Sequence, residues 1–337
     1  MDGATTSSSS ALVAAPRSPA AAQPGYVNYA GSRLRAWIAA IYFPLVMSTC
    51  MFGAYYLHTR GLPLELIPLV TGPYAALFAF LGETFQPLVL RTPAWREDVA
   101  VDTVFAFGFG FLLMLAEKGI SVVVWYALLK LGLSVSEETG GGLWPTTWPL
   151  VAQFGLAAVV AELGVYWAHR ILHATELGWR FHSVHHSPQI VYWWNSPRHH
   201  IVDSVFVAIP TVTLLMIAGV PRDVMAFFGA FAIAQSYFQH SNIWLSFGPL
   251  AYVLSTNVLH RWHHSKDRVD ANSNYGTIVM IWDQLFGTFN FPKDRVQPPE
   301  DIGVSYANYP RTFLGQVLIP FRWSTLREAR ADDPDPR

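Results

Sequence analysis

Eleven of the twelve histidines fall between residues 169 and 264, and their spacing is that of metal ligands. His169 and His173 stand four apart, on one face of a helix. His182, His185 and His186 again share one face, and Ser187-Pro188 ends that helix. His260, His263 and His264 repeat the same pattern, and His240 stands alone at the end of an apolar run. These nine candidates exceed what one ion takes. A thiolate-free imidazole set points to iron, copper or zinc over magnesium or calcium. Nine imidazoles divide between two six-coordinate ions with positions left open for oxygen, so a dinuclear iron centre is the economical reading, with zinc as a possible substitute. His58, far from the rest, reads as an interfacial residue.

The elements that carry these residues must be membrane helices. The 337 residues are 52% hydrophobic and only 13% charged, against about 25% charged in an average soluble domain. Lys and Arg number 22 against 23 Asp and Glu, which leaves no basic footprint for nucleic acid. Cys50, the single cysteine, excludes intrachain disulfides and Cys-rich metal sites.

Residues 1–30 are small, polar and Pro-punctuated, and read as a disordered tail. Residues 36–57 carry no charge and are long enough to span a bilayer. Residues 66–82, bracketed by Glu65 and Glu83, form a shorter span with two prolines. Residues 99–133 are apolar except for Asp102, Glu117, Lys118 and Lys130, and fit one long broken helix or two short ones. Residues 139–161 are uncharged and lead into the first histidines; 204–221 and 224–239 form a hairpin about Gly219-Val220-Pro221. Counting 99–133 as one crossing puts every Lys/Arg cluster on the same side. The expected fold is an all-α integral membrane protein of about six crossings, with a His-rich diiron cap and both termini on the cytoplasmic side. The membrane is a bacterial cytoplasmic membrane, or the endoplasmic reticulum in a eukaryotic cell. The catalytic domain covers 31–295, and 296–337 is a cytoplasmic tail.

The motifs Y-W-A-H-R-I-L-H at 166–173, H-S-V-H-H at 182–186, N-S-P-R-H-H-I-V-D at 195–203, H-R-W-H-H at 260–264 and N-Y-G-T-I-V-M-I-W-D-Q-L-F-G-T at 274–288 carry a resemblance. Together they resemble the fatty acid hydroxylase and sterol desaturase superfamily of membrane non-haem diiron enzymes, especially its alkylglycerol monooxygenase-like and bacterial sterol desaturase-like members. The resemblance implies that His169, His173, His182, His185, His186, His240, His260, His263 and His264 ligate iron. Where some members have a further histidine, this chain has Ser236, so one ion has a nitrogen fewer unless His200 compensates; His199 ranks behind His200.

Glu162 replaces the aspartate of many relatives and sits in an apolar helix, where an ionisable residue signals function. It is a candidate acceptor for the second N–H of a ligating imidazole. Asp283 admits the same reading, and Asn195, Arg198 and His200 are further candidates to orient ligands or substrate. Aromatics such as Tyr192, Trp193, Trp194, Tyr237 and Trp262 read mainly as interfacial anchors.

The implied activity is oxygen-dependent hydroxylation of a membrane lipid, fatty acyl, alkyl-ether or sterol-like, because the boxes lie at the ends of apolar helices where a bilayer-dissolved chain meets aqueous electrons. Desaturation on the same site is the alternative. No flavin, haem or nicotinamide motif is present, so electrons come from a separate reductase, ferredoxin or cytochrome, or from a reduced pterin if the alkylglycerol monooxygenase likeness extends that far. A divalent-metal transporter is the rival from another class, but it would place its site near the midplane, commonly within repeated halves, and this chain has no repeat.

Overall fold

The computed structural model describes residues 25–29, 31–90, 95–132, 142–292 and 297–326. Most of the expected N-terminal tail lies outside the described residues. Within its described part, 25–29, Tyr26 bridges to Val89 and packs with Leu88, Val89 and Trp244, so this stretch is docked by apolar burial.

Twelve α-helices follow one another among the described residues, with short 3-10 turns and no strand beyond isolated bridges. The first, α1 (Arg33–Thr59), starts at Ser32, whose hydroxyl accepts the Arg35 N–H. A 3-10 turn leads into α2 (Ile67–Phe85). The ambiguous stretch resolves as α3 (Trp95–Val104), a π turn at Phe105–Phe109 and α4 (Gly110–Lys130) in unbroken succession, one helix with a bulge. At about 1.5 Å per residue it is long enough for one crossing.

The expected span at 139–161 is displaced. Residues 142–149 form turns around Pro145 and Pro149, and α5 (Leu150–Ala174) begins only after them, continuing past Glu162 to His173. Proline at the N-cap sets that start, because it supplies no N–H to a preceding turn. Short α6 (Glu176–His186) follows, with Thr175 as its cap. The hairpin is α7 (Ile201–Ala218) and α8 (Arg222–Gln239), joined through Gly219 at φ 79°, a left-handed position suited to glycine. The cap is completed by α9 (Asn257–His263), α10 (Arg268–Ala271), α11 (Ile281–Leu285) and α12 (Phe313–Leu318).

Within the bundle α5 packs on α7 and α8, α2 on α8, and α4 on α7. Four helical stretches are long and apolar enough to cross a membrane: Arg33–Thr59, Leu64–Phe85, Leu150–Ala174 and Ile201–Ala218. Trp37, Phe52, Leu69 and Val123 point outward and are at least two-thirds exposed, as expected of helices that are apolar all round and meet lipid.

The C-terminal segment set apart as a tail is folded where it is described. Ile319 packs with Phe105 and Val184, and the Tyr309 hydroxyl lies 2.9 Å from that of Ser183, on the histidine-bearing α6. Its apolar residues have a surface to bury against, which the local sequence does not reveal.

Candidate metal centre

Four elements deliver nine imidazoles to one place. His169 and His173 project from the last turns of α5, His182, His185 and His186 from α6, and His240 from the C-terminal end of α8; His260, His263 and His264 come from α9 and its cap. The rings sort into two groups, in each of which the ligand atoms lie within 4.8 Å of one another: His169, His173, His182, His186 and His263, and then His185, His240, His260 and His264. The three-histidine boxes are what join them. Residues four apart stay together, so His182 and His186 enter the first group, and His260 and His264 the second. The remaining member of each box, His185 or His263, crosses to the other group.

Their hydrogen bonds determine which nitrogen faces inward. His169 Nδ1 donates to the Tyr275 carbonyl at 2.8 Å, His263 Nδ1 to that of Ser273 at 2.8 Å, His240 Nδ1 to that of Ser236 at 2.9 Å and His185 Nδ1 to that of Arg198 at 3.2 Å. His182 Nδ1 stands 3.3 Å from both oxygens of buried Asp203. Each Nε2 therefore carries a lone pair, yet these nitrogens face each other closely: His169 to His182 at 2.9 Å, His263 to His169 at 3.0 Å and His240 to His185 at 3.3 Å. Two lone pairs at that distance repel unless a cation lies between them. A metal–nitrogen bond of about 2.1 Å with a right angle at the metal separates neighbouring nitrogens by about 3.0 Å. The residues present thus fit two imidazole-held ions.

The electrostatics agree. Burial, and after it the nearby rings of His199, His264 and His240, holds His185 well below the ordinary imidazole range. Burial and then His182 push His263 down to about 3. Neutral imidazole is the form a metal binds.

The carboxylates predicted to orient imidazoles do something else. Glu162, fully buried, accepts the backbone N–H of Thr277 at 2.6 Å and of Ile278 at 2.8 Å, and the structure brings it to no histidine. Two turns of helix before His169, it meets the 276–278 turn. Asp283 accepts the N–H of Tyr275 and of Gly276, both at 2.8 Å, and the Thr288 hydroxyl at 2.7 Å. Both clamp the loop whose Tyr275 carbonyl fixes His169. Gly276 has to be small there, since a Cβ would lie 2.7 Å from the Val279 carbonyl oxygen and 2.9 Å from the Asp283 carboxylate.

His200 is not brought to the histidine groups. Its Nδ1 caps α7 by accepting the Val202 N–H at 3.2 Å, and its ring lies against Phe181 and Phe109. The neighbour ranked behind it lies closer: His199 stacks on His185 with centroids 4.0 Å apart, and its Nδ1 is 2.8 Å from Asp203. The turn into α7 sends consecutive side chains opposite ways, and capping claims His200. Asn195 braces its own loop, donating to Ile190 O at 2.7 Å and accepting from Tyr192 N at 3.3 Å.

The buried Arg198 guanidinium pairs with Asp102 and, at 2.9 Å, with Asp98, while the Tyr192 hydroxyl donates to Asp102. It is the Arg198 carbonyl that reaches His185. Asp102 read only as an interruption of an apolar run, although a lone carboxylate there was the available signal. Asp203 and the carbonyls of Ser236, Ser273 and Tyr275 complete the support; carbonyl roles leave no mark on residue type.

A helical membrane protein with converging imidazoles at its helix ends is the class that this fold and site define. Residues 154–288 match the fatty acid hydroxylase family. The chain is 31% identical over 319 residues to ornithine lipid hydroxylase OlsE of Rhizobium tropici, covering 90% of each. It is 30% identical over 155 residues to alkylglycerol monooxygenase of Danio rerio, a third of that protein's length and 45% of this chain. A probable Delta(7)-sterol 5(6)-desaturase of Neurospora crassa is 26% identical over 223 residues, 64% of this chain and 58% of the desaturase. No solved structure is significantly similar. The chain belongs to the fatty acid hydroxylase family and is an oxidoreductase.

Proposed function

We propose that the protein is a membrane diiron monooxygenase that hydroxylates a lipid with dioxygen and externally supplied electrons. The observation that carries this reading is the inward-facing lone pairs of two adjoining imidazole groups, one of five and one of four. Two irons held there would supply reductive activation of dioxygen and oxidation of an unactivated C–H bond. His169, His173, His182, His186 and His263 are the proposed ligands of one ion, and His185, His240, His260 and His264 of the other. The protein's part is orientation. Carbonyls and Asp203 fix each ring tautomer, and the Glu162 and Asp283 clamps hold the Tyr275 carbonyl in place.

Hydroxylation is preferred to desaturation because the 90% span shared with an ornithine lipid hydroxylase exceeds that shared with the sterol desaturase. Both reactions begin with hydrogen abstraction, and small changes in the position of a reacting chain are enough to change rates by about a hundredfold. Reduced protein supplied with its lipid and labelled dioxygen is expected to carry two irons per chain and to place one labelled oxygen atom in the product. An unlabelled product with a new double bond would decide for desaturation, and one metal or none in active protein would sink the diiron reading. A reductase, ferredoxin, cytochrome or reduced pterin would supply the electrons.

The proposed topology is about six crossings with the histidine cap on the cytoplasmic side. In support, the start of α7 and the ends of α5 and α8 all lie at the cap, and Gln86, just past α2, bonds to Trp244 there. In a Cys50→Ala background, Val269→Cys is expected to react with an impermeant thiol reagent from the cytoplasm, and Leu143→Cys from the opposite side. Labelling of both from one side would refute the parity.

A further inference from the structure

Arg261 lies inside the third histidine box with two of its three guanidinium nitrogens unpartnered among the described residues. It is 3% exposed, its Nε and Nη1 make no hydrogen bond, and it forms no ion pair among the described residues. Arg198, equally buried, has two carboxylates. A guanidinium does not lose its proton in proteins, and a buried charge without a counter-charge is strongly unfavourable. An anion would supply the counter-charge.

The surrounding segments point towards the ends of the membrane helices. Asn257, one turn earlier on the same face, donates to the carbonyls of Ser241 at 3.1 Å and Ile243 at 2.7 Å, leaving its own Oδ1 unpartnered. That loop is joined to the chain just past α2, with Leu88 N bonded to Asn242 O at 2.8 Å and Trp244 N to Gln86 O at 2.9 Å. Val89 bridges to Tyr26, whose hydroxyl donates to the Gln297 carbonyl at 2.6 Å; the Gln297 amide is buried and unpartnered. The 297–303 segment returns to α9 through Gly303 N and His264 O at 3.1 Å. The segments joined in this way to the Asn257 face of α9 lead to the ends of two candidate spans, α1 beginning at Arg33 and α2 ending at Phe85. Tyr29, just before α1, stacks on Trp244 with centroids 4.9 Å apart, and Trp37 in the first turns of α1 is 68% exposed. Such aromatics mark the headgroup level of a bilayer.

We propose that Arg261 binds the oxyanion, phosphate or carboxylate, of a membrane lipid headgroup, and so selects lipids with an acidic headgroup at a point one residue from His260. A guanidinium fork matches either oxyanion in a bidentate way. That the bound lipid is the substrate rests on the function proposed above; the binding itself does not, and is measured without turnover.

The test uses metal-loaded protein in mixed micelles containing equal amounts of phosphatidic acid and diacylglycerol with identical acyl chains, which differ in the oxyanion. Lipid retained through purification is quantified by mass spectrometry. Wild-type protein is expected to retain phosphatidic acid over diacylglycerol by about tenfold or more, a difference of about 1.4 kcal/mol. Arg261→Gln should lose the preference, and Arg261→Lys, a point charge without the fork, should keep part of it; equal metal content shows that the cap is intact. If Arg261→Gln does not fold, Arg261→Lys decides, with an undiminished preference counting against the proposal. An undiminished preference in Arg261→Gln, or none in the wild type, would overturn it. So would equal thermal protection by inorganic phosphate with no lipid retained, which would make this a site for a free anion. Absent iron or oxygen consumption in the wild type would count against the enzymatic reading and leave the headgroup preference to stand or fall separately.

Discussion

His263→Ala is expected to lower product formation by more than about 100-fold, the upper range for losing only an outer partner of a metal ligand, and to reduce bound iron from two per chain. His263 adjoins His169 at 3.0 Å, and its Nδ1 is held by Ser273, so its loss opens the five-membered group where α9 closes it against α5. His185→Ala should have an effect of the same size through the other group, because His185 Nε2 faces that of His240 at 3.3 Å. The two variants differ in which ion is lost, so the Mössbauer spectra of the iron left in each should differ. His58→Ala is the control: its Nδ1 bonds to the Leu62 carbonyl at 3.0 Å, far along the chain from the cap, and activity should be unchanged. Full activity with two irons in His263→Ala would remove this residue from the site.

The second large effect is expected at Glu162. Glu162→Ala strands the N–H groups of Thr277 and Ile278 in a buried turn. At about 1–3 kcal/mol for each unsatisfied group, the loss of stability is about 2–6 kcal/mol, read as a fall in thermal midpoint. Iron affinity should fall with it, because the freed turn carries Tyr275, whose carbonyl orients His169. Glu162→Gln retains one acceptor oxygen and should lose less of both. If the glutamine variant folds and binds iron normally but is inactive, Glu162 acts in the chemistry and the clamp is not its main role.

Some of the supporting residues were visible in the sequence as chemistry but not as geometry. Glu162 and Asp283 stood out because carboxylates in apolar surroundings need a reason, yet their partners are backbone N–H groups more than a hundred residues away for Glu162 and seven or eight away for Asp283. Nothing in residue type distinguishes an N–H of Thr277 from an imidazole as the partner of a carboxylate. His199 and His200 are adjacent and chemically identical, and the start of α7 alone decides that the second caps a helix while the first stacks on His185. Arg198 looked like a ligand-orienting side chain and proved to act through its carbonyl, with its guanidinium held by Asp98 and Asp102.

By itself the sequence determined what is local. Apolar runs indicate where long helices form, though not where α5 starts, and four-residue spacing puts His169 beside His173, His182 beside His186, and His260 beside His264. Histidine count and the absence of thiolate partners point to imidazole as the kind of donor a metal would meet. Tertiary structure alone decided how the nine imidazoles divide, because His185 and His263 leave their own boxes for the opposite group. It also decided that Asp102 holds Arg198, that residues 297–326 fold onto the cap, and that Arg261 is buried with its Nε and Nη1 unpartnered. The reason is physical: helical spacing determines which side chains share a face, whereas the direction of that face, and what it meets, depends on packing between segments far apart in the chain.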